Sequence, residues 1–189
     1  PFLRLANLTE NLQKAAASAE RVFELLDTKS TIVDAPDARI PDEQRFDIEF
    51  RGVDFSYREG LPVLQDVSFR IGDGETVAVV GATGVGKTTA CHLLVRFFDI
   101  DSGSVRLGGC DVRTLPLHYL RNNISLVSQD VFLFHGTIRE NLLLVDADAS
   151  DDDIRTAAQV ANAEEFILSF PDGYETVVGE RGVRLSGGQ

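Results

Sequence analysis

Apolar residues recur at spacings of three and four through the first 27 positions. Leu5, Leu8, Leu12, Ala15, Ala19, Val22 and Leu26 share one stripe, with Glu10, Lys14, Glu20 and Arg21 off it. That period predicts an amphipathic α-helix, roughly 40 Å long at 1.5 Å per residue. The stripe is narrow and partly alanine, which suits packing against another helix; an ordinary surface helix would show the same spacing. From Thr28 to Gln44 the period dissolves into a polar stretch with Pro36, Pro41, Asp34, Asp37, Asp42 and Glu43, the composition of a linker.

Alternation of period two then takes over. Phe46, Ile48 and Phe50, then Val53, Phe55 and Tyr57, then Val67, Phe69 and Ile71 predict strands of an antiparallel β portion. Arg51 and Gly52 break the phase between the first two, as a bulge does. Residues 76–80 are a continuous β-branched run, expected as a strand buried on both faces of a mixed or parallel sheet. After a glycine-rich turn, residues 88–98 read as a helix with Ala90, Leu94 and Phe97 on one face and Thr89, His92, Arg96 and Asp99 on the other. Short strands are expected at 105–107 and 124–127, and helices near 137–143, 151–161 and 164–170. Ser150 with Asp153 forms a capping box, so the run Asp151, Asp152, Asp153 reads as a helix start and not as a metal site. The whole is an α/β chain with no internal repeat.

Composition narrows the class. A chain of 189 residues holds one domain and an appendage, and 43% hydrophobic with 25% charged residues is globular, which excludes wholesale disorder. Thirty acids against 18 bases give a net charge of −12, which repels nucleic-acid backbones, and no basic patch offsets it. Cys91 and Cys110 are too few for a disulfide framework; a reducing compartment is expected, with Cys91 a small core filler. His92, His118 and His135 have no ligand-like spacing. No run approaches the roughly 18 apolar residues of a membrane span. A start at Pro1 without any Met hints at a fragment.

Gly81, Ala82, Thr83, Gly84, Val85, Gly86, Lys87 and Thr88 fit G-x-x-x-x-G-K-[ST] between an expected strand and a helix. Glycines let successive N–H groups converge on phosphate oxygens, and the helix N-terminus adds favourable partial charge. Lys87 then reaches the β/γ-phosphates and the Thr88 hydroxyl offers itself to Mg²⁺. The loop specifies a nucleoside triphosphate; without N-K-x-D, guanine selection is unsupported.

The chain ends on Leu185, Ser186, Gly187, Gly188 and Gln189, and this L-S-G-G-Q resembles the signature of the ATP-binding-cassette (ABC) family. From about Phe46 onward the order is similar to an exporter-type ABC nucleotide-binding domain, including Phe55-Ser-Tyr57, Val67-Ser-Phe69, Gly136-Thr-Ile-Arg-Glu-Asn141 and Gly179-Glu-Arg-Gly182. The resemblance implies a P-loop NTPase fold: an ABC-type ATPase core at 45–189, a linker at 28–44, and at 1–27 the cytoplasmic extension of a last transmembrane helix. It implies ATP and Mg²⁺ as cofactors, with Thr89 beside the loop. Tyr57 would stack on adenine, although its alternation with Val53 and Phe55 also fits a core position. Gln129 would join Thr88 in the Mg²⁺ shell; outside the family it is an unremarked loop residue. Residues 185–189 would face the ATP of a partner in a head-to-tail dimer, with Gly179 to Gly182 touching transmembrane domains at the cytoplasmic face of the cell membrane.

The family's second acidic strand, its catalytic Glu and its γ-phosphate-sensing His follow the signature, where this chain stops. The full-length parent is therefore expected to hydrolyse ATP and the chain alone to be inactive. The run Leu142 to Asp146 mimics the acidic strand but has Ala147 where Glu belongs and continues a helical phrase. An ABC exporter subunit is the leading expectation. The alternatives are a soluble ABC-type ATPase without a membrane domain and, in this truncated form, a nucleotide-binding module without hydrolysis.

Overall fold

The computed structural model describes residues 2–129 and 132–179, with side chains from residue 13 onward. The backbone separates into two compact units, one running to Ser125 and one beginning at Leu126.

The first unit starts with α1 (Phe2–Asp27), as the three-four spacing predicts. Its end is closed locally: the Thr28 hydroxyl donates to the Glu24 carbonyl at 2.7 Å and the Thr28 amide to Leu25 at 3.3 Å. Val22 and Leu26 of the stripe, and Phe23 and Leu25 beside it, are exposed, so this end of the helix is left uncovered among the described residues. The linker has no helix or strand but is not loose. The Arg39 amide donates to Thr114 O at 3.2 Å, and Asp34 Oδ1 accepts the Leu117 amide at 2.7 Å, capping α3 (Leu117–Asn122) from 83 positions away in sequence.

The centre of the unit is β1 (Ile48–Arg58), flanked by β2 (Leu61–Ile71) and β3 (Ser102–Leu107), with β4 (Cys110–Asp111) beyond β3. The order is β2-β1-β3-β4 and every pairing is antiparallel. Where alternation breaks at Arg51 and Gly52 there is one bulged strand and not two separate ones: the β1–β3 register shifts between Arg51 and Asp54. Gly52 takes φ +53° and Gly103, opposite, takes φ +85°. A Cβ on Gly103 would stand 2.2 Å from the Gly52 carbonyl oxygen, so the approach of the two backbones requires glycine there. Phe50, Val53 and Phe55 alternate inward against Leu64, Val105 and Leu107, and Leu93, Val112, Leu115, Tyr119 and Leu120 join them in the buried core. Phe50 stacks on Phe69 across the β1–β2 ladder, centroids 4.5 Å apart.

Three expectations are corrected. Residues 76–80 and 124–127 form no ladder among the described residues, and Val80 and Val127 are 87% and 95% exposed. A β-branched run is buried on both faces only when strands lie on both sides of it, and no described strand pairs with either run. The helix expected at 88–98 is α2 (Lys87–Leu94). Arg96, at φ +52°, stops it before Phe97 can join an apolar stripe. The buried positions are Thr89 and Leu93, one turn apart, while Phe97 is exposed. Arg96 is buried instead, its Nε donating to Asp99 Oδ1 at 2.8 Å. Cys91 is exposed and not a core filler, because it sits on the face of α2 opposite Thr89 and Leu93.

In the second unit, β5 (Gly136–Thr137) pairs with β6 (Val177–Val178), a pairing too short to leave a period in the sequence. Next come α4 (Ile138–Leu143), α5 (Asp151–Val160) and α6 (Glu164–Leu168). Thr137 with Glu140, and Ser150 with Asp153, close complete capping boxes, so the aspartate run is the helix start its spacing predicts. The core is Ile138, Ala158, Ile167 and Val178. Residues 142–146 are the end of α4 and the turn beyond it, not an acidic strand.

Gly103→Ala should leave the first unit unable to form its sheet, with loss of the cooperative thermal transition. Leu120→Ala, at a fully buried site, should cost about 2–5 kcal/mol in denaturant melts. The hydroxyl of Ser150, then its amide, hold the Asp153 carboxyl below the usual aspartate range. Such a group contributes its stability fully above its unfolded value near pH 4 and loses it as the pH falls through the lowered one. Melts taken from about pH 6 down to about pH 2.5 should therefore show an acid limb that Ser150→Ala flattens.

Candidate functional site

The loop from Gly81 to Gly86 leads directly into α2, with Gly86 as the N-cap residue at φ +97°. A side chain there would collide with Leu64 of β2 at 2.5 Å; the loop is thus seated on the sheet through a residue that only glycine can supply. Gly84 also has positive φ, +84°, with open space around its Cα. The loop is exposed from Gly81 to Val85. Among the described residues neither Thr83 nor Gly84 takes part in a hydrogen bond, which leaves their amides free to donate outward.

Lys87, the first residue of α2, turns back over this loop. Its Nζ donates to the carbonyl oxygens of Gly81 and Ala82, both at 2.8 Å. Among the described residues the ammonium is held only by neutral acceptors, which anionic oxygens outcompete. Thr88 is exposed on the first turn. The donor set fits a polyanion: free loop amides, one ammonium and the positive end of a helix. Among the described residues no group of three or more His, Cys, Asp or Glu could hold a metal ion. A magnesium ion here would take neutral oxygens such as the Thr88 hydroxyl and draw its charge balance from phosphates, a combination that suits a hard cation.

Tyr57 lies at the end of β1, 48% exposed, and its hydroxyl donates to the Thr89 hydroxyl at 3.2 Å. This bond joins the expected aromatic to α2, two residues from Lys87. The core alternative is not what forms: Val53 and Phe55 are buried but Tyr57 emerges, with Phe55 and Phe98 edge-on to its ring at 4.8 and 5.0 Å. Phe98 was not singled out by the sequence; the Phe97-Phe98 pair just past the helix is the only signal there.

The structure thus brings Tyr57, the loop 81–88 and Thr89 together in the first unit. Gln129 belongs to the second unit and is exposed. The expected contact residues Leu185, Ser186, Gly187, Gly188 and Gln189 lie outside the described residues, as do Glu180, Arg181 and Gly182. Among the described residues His92, His118 and His135 enter no group of three or more metal-ligating side chains.

Residues 64–189 match the sequence model of the ABC transporter family. The chain belongs to that family. As an ABC protein it is 47% identical over 189 residues, its full length, to the multidrug efflux ATP-binding/permease protein Rv0194 of Mycobacterium tuberculosis. It is 43% identical over 178 residues, 94% of the chain, to heavy metal tolerance factor 1 of Caenorhabditis elegans. A bacterial Atm1-family ABC exporter solved with ATP bound superposes with a TM-score of 0.81 at 35% identity over 93% of the chain. By family and by fold this is a nucleotide-binding domain of ABC exporter type. The chain spans 16%, 22% and 31% of the length of these three proteins. Among the described residues no helix is long and apolar enough to cross a membrane.

Proposed function

We propose that the chain binds MgATP between its phosphate loop and Tyr57, and that in the full-length protein this binding and subsequent hydrolysis drive export across a membrane. The observation that carries the reading is Lys87: an ammonium at the head of α2, resting on two loop carbonyls beside amides that have no partner among the described residues. Anionic phosphate oxygens exchange for the Gly81 and Ala82 carbonyls, the amides of Thr83 and Gly84 orient the tail, and the dipole of α2 favours the added charge. Tyr57, fixed by its bond to Thr89, offers a ring face to a base. Magnesium, when bound, would spread the phosphate charge, with the Thr88 hydroxyl as the oxygen ligand that the phosphate loop supplies.

A second copy of the domain completes the assembly in this reading. Residues 185–189 of one copy meet the triphosphate held by the other head to tail, and residues 179–182 meet the transmembrane domains at the cytoplasmic face of the membrane. The export reading is supported over a soluble ATPase by α1, which ends directly in a linker docked on the domain. Relatives of nearly equal identity carry names as different as multidrug efflux and heavy metal tolerance, so the cargo is set outside this segment.

Lys87→Ala should weaken MgATP binding about a hundredfold, the loss of about 3 kcal/mol of charge-assisted hydrogen bonding. Titration calorimetry checks it, and unchanged affinity contradicts the assignment. Ser186→Arg in the full-length protein should leave binding by the single domain intact and abolish ATP-driven dimerisation, read by light scattering; a normal dimer counts against the partner role of Ser186.

A further inference from the structure

A cavity of about 660 Å³ opens between linker residues 28–32 and the aromatic group of Phe55, Tyr57 and Phe98. Its aromatic wall is set before any ligand arrives. Phe55 and Phe98 both meet the Tyr57 ring edge-on, at interplanar angles of 83° and 87°, and the Thr89 hydroxyl holds the phenol end. Three contacts fix the plane of one ring. The opposite wall is also held. The Ser30 hydroxyl donates to Ile32 O at 2.9 Å and accepts from the Ile32 amide at 3.2 Å, making a tight local turn. Thr28 ties the start of the segment to the last turn of α1, and Asp34, just beyond it, caps α3. The segment is thus a strap anchored to the long helix on one side and to the domain on the other, with residues 28–32 lining the same opening as Tyr57.

The volume is in the range of small-ligand pockets, about 300–1,000 Å³, and Thr89 connects the aromatic wall to the turn that carries Lys87. In the reading above, a nucleotide gripped by its phosphates at the loop sets its base on Tyr57, and Tyr57 lines this opening. We propose that linker residues 28–32 form the second wall of the base site, with Phe98 positioning Tyr57, so that the joint between α1 and the domain reads whether a nucleobase is present. This rests on the phosphate loop being the triphosphate site. Base occupancy then restrains the strap by contact, and phosphate alone does not reach it.

Hydrogen exchange on the chain, with Mg-ATP and Mg-tripolyphosphate compared, tests the strap. Both ligands should protect amides 82–88, and only ATP should slow exchange at 29–32, by about tenfold. Protection of 82–88 with no change at 29–32 under ATP overturns the proposal and leaves the phosphate site standing. Equal protection of 29–32 by both ligands overturns it as well, since the base is then not what is read. Protection of neither region by ATP removes the phosphate-site reading and this inference with it. For Phe98, titration separates positioning from support of the fold. Phe98→Ala should weaken ATP about tenfold, as expected for loss of an oriented stack, leave tripolyphosphate unchanged, and be rescued in Phe98→Tyr. Equal loss of both ligands, or no loss of ATP, overturns the positioning role.

Discussion

In the proposed reading, a single ammonium resting on two carbonyl oxygens is what lets this strongly acidic chain accommodate a polyanion. The net charge of −12 acts over distances that salt screens, about 8–10 Å at ordinary ionic strength. Lys87 and the loop amides act within hydrogen-bond range, where screening is negligible. What the protein must provide is geometry, and it does so with a sheet under the loop: Gly86 lies against Leu64 and Leu93 is sunk into the core, so the head of α2 is pinned at both ends. The carbonyl contacts keep the cation in place without satisfying it as an anion would.

The same sheet determines where the aromatic emerges. β1 is paired on both edges, and its bulge at Gly52 re-phases the strand so that Val53 and Phe55 point inward and Tyr57 surfaces beside α2. Asp54 anchors this stretch, accepting from the Ser102 hydroxyl and the Asp66 amide, and these bonds hold its carboxyl below the usual aspartate range. The emergence of Tyr57 at one end of the strand is thus a consequence of a backbone contact between two glycines several residues away.

Local patterns were the legible part. The Ser150 box, the bulge in β1 and the length of α1 each depend on residues within a few positions of one another, and each formed as read; the glycine-rich turn leads into a helix as read, but the strand expected before it forms no ladder among the described residues. Pairing partners were not legible. Residues 76–80 have the composition of a buried strand, but burial requires neighbours that composition does not name. The stop of α2 at Arg96 escaped because an arginine at positive φ is held there by Asp99 and by Arg121, which donates to the Arg96 carbonyl at 3.2 Å; the Arg121 contact lies 25 residues ahead. Phe98 escaped for the same reason, since nothing in its neighbourhood in sequence points to Tyr57.

The bond from Asp34 to the head of α3 has a mechanical meaning. A slack tether would decouple a rod from the body it leads to, dissipating any torque as chain entropy, whereas a strap fastened within seven residues of the rod's end acts as a hinge with a short lever. The 26 residues of α1 span about 39 Å, so a rotation of about 5° at that hinge sweeps the far tip through about 3 Å. Adjustments no larger than a side-chain rearrangement at the strap are in this way geared up to displacements on the scale of helix sliding.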